Sequence, residues 1–252
     1  MAIGCSSVTP AHAEPIQRST TFLEGRKYHN RDQVAYLLPD DNEEDARLAR
    51  QHRLLKLLCG SNFDSPVVDA LEQGILVLDS GCATGCFTFE LGNEYPNSTF
   101  HGIDISLRVQ EAIKPPNCEF HIHSVTDDPI FPDNHFGFIH QQLLILALSS
   151  SDWEKAVANL MRQLKPGGWI ELHEMVTSKC ENGGPRMNLL LNSVSVFAQE
   201  TKGLDLAVAM KLDLLLQDAG AINISSRKVL YPLNHSGEVG RLAWYISRGC
   251  VD

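Results

Sequence analysis

The sequence predicts an α/β fold of the Rossmann-like kind, a mostly parallel sheet flanked by helices, from three observations. The run Ile75-Leu76-Val77-Leu78 has no polar alternation, which marks a strand buried on both faces, and Asp79 closes it. A glycine-rich turn from Gly81 to Gly85 follows at once, and Phe87, Phe89, Glu90 and Leu91 then open a helix. A second strand, Ser98 to Asp104, ends in an acid 19 residues after Gly85. Glycines let backbone approach a ligand at a helix N-terminus, and a carboxylate at the tip of the next strand is where a ribose with two free hydroxyls is held. Gly-x-x-x-Gly taken alone is also the ordinary strand-to-helix turn of an α/β protein.

The remaining elements follow in order. Residues 1–20 mix Ser, Thr, Pro, Ala and Gly without periodicity and read as a flexible tail without chemistry. The acids Asp40 to Asp45 precede Leu48, Leu54, Leu55, Leu57 and Leu58, whose helical spacing stops at Gly60. Asp41 followed by Glu44 resembles a capping box, so this cluster is a helix start before it is a metal site. His52 on that helix reads as a hydrogen-bonded structural histidine more readily than as a site residue. The third strand, Cys118 to His123, ends shortly before Val125, and the fourth, Phe136 to Gln142, ends in His140, Gln141 and Gln142. Those three lie where doubly wound folds bind ligands, beyond the carboxyl ends of the strands.

A helix from Trp153 to Leu164 ends at Pro166-Gly167-Gly168, and Trp169 to Met175 forms strand five. Alternation puts Glu171 and His173 on one face and Leu172 and Glu174 on the other. His173 and Glu174 are the candidates for substrate contact or proton removal, since an imidazole with a pKa of about 6.5 suits neutral pH. Met187 to Glu200 and Leu204 to Ala219 read as helices, and Ile222 to Leu230 alternates like a strand.

The chain has 252 residues, 43% of them hydrophobic, enough for one sizeable domain. A net charge of −10 with no basic run argues against nucleic acid as a primary partner. Seven cysteines without paired spacing suggest a reducing compartment. Cys82 and Cys86 lack further ligands at metal spacing, so they read as small residues filling a crowded turn, and no metal is expected. No stretch of ~18 apolar residues suggests a membrane span, and no leader is evident. The expected location is the cytoplasm, with nuclear access.

Asp79-Ser80-Gly81-Cys82-Ala83-Thr84-Gly85 resembles the D-x-G-x-G-x-G signature of class I S-adenosylmethionine (SAM) dependent methyltransferases. Leu164-Lys165-Pro166-Gly167-Gly168-Trp169 resembles the turn before their fifth strand. Gly25 to His29, Tyr36 to Glu44, Gln51-His52, Phe131 to His140 and Asp152-Trp153 are similar to the fungal secondary-metabolism, LaeA-like branch. The resemblance implies a methyltransferase domain over 21–252, with 21–66 as an N-terminal helical lid. It implies SAM as cofactor, and methyl transfer to O, N or S of a small metabolite. Asp104 would hold the ribose; Asp79, Gly81, Cys82, Ala83 and Gly85 would frame the amino acid portion. Ser124 and Val125 would border adenine, with Ile105, Tyr28, Tyr36 and Gln141 near the cofactor and His173 and His140 as catalytic candidates.

Three departures from the family pattern stand out. Ala83 replaces a glycine of the turn, and Ser124 and Val125 stand where an acid and a small residue usually meet adenine. Relatives continue beyond the Tyr231-Pro232-Leu233 equivalent to a final strand, so a shortened C-terminal strand region is expected. Leu242 to Ile246 would supply either a replacement strand or the start of a helix. Two other readings stay open: a regulatory subunit acting through a protein partner or homodimer, and a cyclase-type enzyme that binds SAM without transferring methyl.

Overall fold

The computed structural model describes residues 20–23, 25–29, 38–177, 180–233 and 237–248. The tail and Tyr36 therefore lie outside the described residues, apart from Thr20. A hairpin of β1 (Thr20–Leu23) and β2 (Arg26–His29) precedes α1 (Asn42–Cys59) and α2 (Val68–Gln73). The sheet follows as β3 (Leu76–Ser80), β4 (Thr99–Asp104), β5 (Cys118–Ile122), β6 (Phe136–Gln142) and β7 (Leu164–His173). Helix α3 (Cys86–Glu94) lies between β3 and β4, and α4 (Ser150–Gln163) between β6 and β7. Helices α5 (Gly184–Lys202), α6 (Leu212–Asp218) and α7 (Gly237–Arg248) complete the described chain.

The five strands are parallel in the order β5-β4-β3-β6-β7. Chain direction across the sheet reverses at β3, between β4 and β6, and the crevice beyond the strand ends there is the ligand position of doubly wound folds. Alternation sorts the two faces. Val77, Phe100 and Phe138 pack with Phe87 and Leu91 of α3 on one side, while Leu78, Ile103 and Ile139 pack with Trp153, Val157 and Leu160 of α4 on the other. A smaller cluster joins Leu54 of α1 to Ala243 and Ile246 of α7.

Local signals explain the helix ends. Asp41 caps α1 by accepting the Glu44 N–H at 3.0 Å, and a bidentate bond from Arg26 holds its carboxyl down at about 2. Glu44 does not complete the box; its carboxylate grips the buried Arg47 at 2.7 Å. Ser149 and Asp152 form a full capping box on α4. The Lys165–Gly168 stretch bulges out of β7, between the register pairs Phe136 with Leu164 and Phe138 with Trp169.

Two expectations about the C-terminal part change, and one open choice is resolved. Ile222 to Leu230 forms no strand: it is irregular, with Ile222 83% and Leu230 75% exposed, and it pairs with neither edge strand of the sheet, β5 or β7. The helix expected over Leu204 to Ala219 splits into a short 3-10 turn, Val208–Met210, and α6. Asp205 keeps the start of the span out of the helix, its side chain accepting the Ala207 N–H at 2.9 Å in a local turn that competes with helix formation. Leu242 to Ile246 lies inside α7, settling the open choice in favour of a helix.

Candidate active site

The turn after β3 runs through Gly81 and Gly85 at φ +73° and +77°, with Ala83 also left-handed at +47°. A side chain at Gly81 would place its Cβ 2.7 Å from Leu144 Cδ2, and one at Gly85 would meet the Phe120 ring at 3.0 Å. Gly81 and Cys82 donate their N–H groups to the Ile103 carbonyl at 2.8 and 3.1 Å. Ala83 donates its N–H to Asp104 Oδ2 at 3.0 Å, and Ser106 donates to Oδ1 at 2.9 Å. Turn and strand tip are thus one unit, the corner the sequence anticipates. Burial pushes the Asp104 carboxyl up against the pull of those two N–H groups.

The expected adenine side is continuous with this corner. The His123 N–H donates to the Asp104 carbonyl at 2.9 Å, Ile105 is half-buried, and Ser124 Oγ is 2.8 Å from Thr126 Oγ1. Val125 is buried, its carbonyl accepting from Asn159 at 2.9 Å. Tyr28 sits in β2 opposite Thr21, and the hairpin is tethered by the Asp40 N–H on the Lys27 carbonyl. A link the sequence did not suggest joins the N-terminal segment to the loop after β4. Arg108 lies 3.5 Å from Asp40 and 3.1 Å from Asp45, and Ser106 Oγ donates to Asp40 at 3.1 Å.

Under the turn, Asp79 is buried and accepts from Thr88 Oγ1 at 2.7 Å. His140 is 1% exposed, stacked on Phe87 with centroids 3.8 Å apart, and its Nδ1 stands 3.6 Å from Asp79, too far for a hydrogen bond. Burial lowers the pKa of this ring, with Asp79 opposing. Gln141, next to Ser80 in register, accepts from Ser80 Oγ at 2.9 Å, while its Nε2 is buried without a partner among the described residues. Cys82 is buried with its sulfur against Gly102, which fits the reading of a small residue in a crowded turn.

At the end of β7, His173 Nε2 meets Glu171 Oε1 at 2.6 Å, on the shared face that alternation assigned. Glu171 also accepts from the N–H groups of Asp64 and Ser65 and from Ser65 Oγ at 2.6 Å. Burial works to raise its pKa, but the bonds from His173, Ser65 and Asp64 prevail and hold it at about 2. His173 lines a small cleft with Gln142 and, from α1 and its following loop, His52, Lys56, Ser61 and Asn62. His52 and Lys56 both bond to Glu90 of α3, so His52 is held as a structural histidine would be. Glu174 clamps the loop after β6, accepting from the N–H groups of Leu144 at 2.6 Å and Ile145 at 3.2 Å, and burial raises its pKa to about 8.

Residues 77–168, from β3 into the fifth strand's opening turn, match the family model described as a methyltransferase domain. Over these residues the chain is similar to that domain. Relatives at 27–35% identity lie in the fungal secondary-metabolism branch of that family. The N-methyltransferase sirN of Leptosphaeria maculans is 35% identical over 140 residues, covering 55% of this chain and 49% of that protein. The protein-methionine methyltransferase laeA of Emericella nidulans is 28% identical over 254 residues, covering 96% of this chain and 66% of that protein. The chain thus spans about half to two thirds of these relatives' lengths.

Among solved structures, the YcgJ protein of Bacillus subtilis shares the fold with a TM-score of 0.52 at 17% identity, over 79% of this chain and 77% of its own. Human N-acetylserotonin methyltransferase, solved with SAM, has a TM-score of 0.50 at 18% identity, over 74% of this chain and 51% of its own. No helix among the described residues is long and apolar enough to cross a membrane.

Proposed function

We propose that this chain is a SAM-dependent methyltransferase acting on an O, N or S atom of a small fungal metabolite. The observation that carries the reading is Asp104, a half-buried carboxylate fixed at the tip of β4 by the Ala83 N–H of the glycine turn. Each Asp104 oxygen accepts one backbone N–H and keeps a second lone pair, so a ribose hydroxyl pair fits there. Gln141 gives the second sign of fit. Its buried, unpartnered Nε2 lies at the tips of β3 and β6, where a ligand oxygen would satisfy it.

Bound SAM supplies an electrophilic methyl for in-line displacement by the substrate nucleophile. The chain contributes placement. Asp104 holds the ribose, Ile105, Ser124 and Val125 border adenine, and Asp79, Gly81, Cys82, Ala83 and Gly85 frame the amino acid end, with Tyr28 contributed by the N-terminal hairpin. In the tautomer that donates from Nε2 to Glu171, His173 keeps Nδ1 as an acceptor. That nitrogen can orient the substrate nucleophile or take its proton. His140, covered by Phe87 and edge-on to His173 at 5.4 Å, supports the His173 ring rather than reaching substrate itself. Holding the reacting atoms in line supplies most of the rate in such a site.

Calorimetry with SAM, followed by incorporation of radiolabelled methyl into a host extract, tests the reading. Binding and labelled small molecules are expected; absence of SAM binding would overturn it. A second reading, a regulatory subunit that acts through a protein partner, is favoured by the exposed Leu189, Leu190 and Phe197 of α5, at 67, 57 and 65% exposure. SAM binding with label on protein, or with none transferred, would favour that reading.

A further inference from the structure

A cluster on the α4 side of the sheet plays no part in the site above. β5 is an edge strand, and its pairing with β4 sets Glu119 opposite His101. The two-residue pleat then returns His121 to the face of Glu119. His101 Nδ1 lies 3.6 Å from Glu119 Oε2, and His121 Nε2 lies 4.0 Å from the same oxygen. These three atoms all lie within 4.8 Å of one another.

Both imidazole nitrogens are buried, and neither has a hydrogen-bond partner among the described residues. Buried polar atoms are nearly always bonded, and a histidine aimed at a carboxylate normally closes to about 2.8 Å. Here two rings converge on one oxygen and stop short of it. The spacings of 3.6 and 4.0 Å exceed the edge of a coordination tetrahedron, about 3.3 Å when ligands stand roughly 2.0–2.1 Å from zinc, so a bound ion would draw the three groups slightly together. His101 is 8% exposed, so its nitrogen points inward from a fixed position. The Glu119 side chain is 61% exposed and that of His121 34%, which leaves a path from solvent. Phe131 and Phe136 wall the site, their rings 5.0 and 5.9 Å from that of His101.

We propose that His101 Nδ1, Glu119 and His121 Nε2 bind one divalent transition-metal ion, zinc by preference, with water in the fourth position. Two imidazoles and a carboxylate suit this borderline ion better than magnesium or calcium, which take oxygen ligands. The ion would staple the edge strand β5 to β4. Its role is structural, and the proposal does not depend on SAM binding.

Chelator-treated full chain titrated with zinc should show one saturable site per chain and a raised melting temperature. Cobalt in its place should give visible d–d bands without thiolate charge transfer. His121→Asn and Glu119→Gln, both at accessible positions, should each weaken zinc binding at least tenfold and remove the thermal shift while leaving the circular dichroism unchanged. Absence of saturable binding would overturn the proposal. So would zinc binding retained by the doubly substituted chain, or a thiolate band, since the free cysteines are the competing ligands.

Discussion

Replacing Glu171 by Gln tests how the end of β7 is held. The carboxylate, only 10% exposed, accepts from His173 Nε2, Ser65 Oγ and the backbone of Asp64 and Ser65. These bonds lower its pKa from 4.5 to about 2. At about 1.36 kcal/mol per unit, the charged form contributes about 3 kcal/mol to stability at neutral pH. Because the folded value is the depressed one, the contribution is complete above 4.5 and is lost as pH falls toward 2. Urea unfolding of both chains from pH 7 to pH 3 measures it. Glu171→Gln should cost about 3 kcal/mol at pH 7, and less than about 1 kcal/mol of that difference should fade by pH 4, with most of the decline below. Equal stability at pH 7, or a difference that does not change down to pH 3, would refute the assigned network.

Three further substitutions bear on the site. Asp104→Ala should weaken SAM binding by roughly 1–3 kcal/mol, since the ribose hydroxyls lose a charged acceptor; unchanged calorimetry would discard the ribose assignment. His173→Ala should lower turnover while SAM affinity stays the same, and an unaltered rate would remove this ring from the reaction. Glu174, with its pKa raised to about 8, favours the fold when protonated, a contribution complete below 4.5 and lost as pH rises through 8. Glu174→Gln should therefore flatten the decline in stability over that range, and denaturation at pH 5 and pH 9 checks it.

The sheet was legible because its strands are short apolar runs that end in recognisable groups. Asp79, Asp104 and Gln142 mark strand tips or the residue beside one. The corner of Gly81, Ala83 and Asp104 was legible for the same reason, since spacing along a strand-turn-helix fixes which tips meet. What escaped were contacts between distant elements. Ser65 reaching Glu171 spans 106 residues, and Arg108 bridging Asp40 and Asp45 joins two polar stretches that sequence alone cannot pair. The burial of His140 against Phe87 is likewise a packing outcome, set by where α3 crosses β6. Ile222 to Leu230 misled because alternation records a pattern of side chains and says nothing about whether the segment pairs with an edge of the sheet.

A crystal structure of the full chain with S-adenosylhomocysteine would test the central claim most directly. The ribose hydroxyls should lie within hydrogen-bond distance of both Asp104 oxygens, with the glycine turn against the amino acid end. A nucleoside bound elsewhere on the chain, or a corner that still excludes it at saturating ligand, would contradict the account.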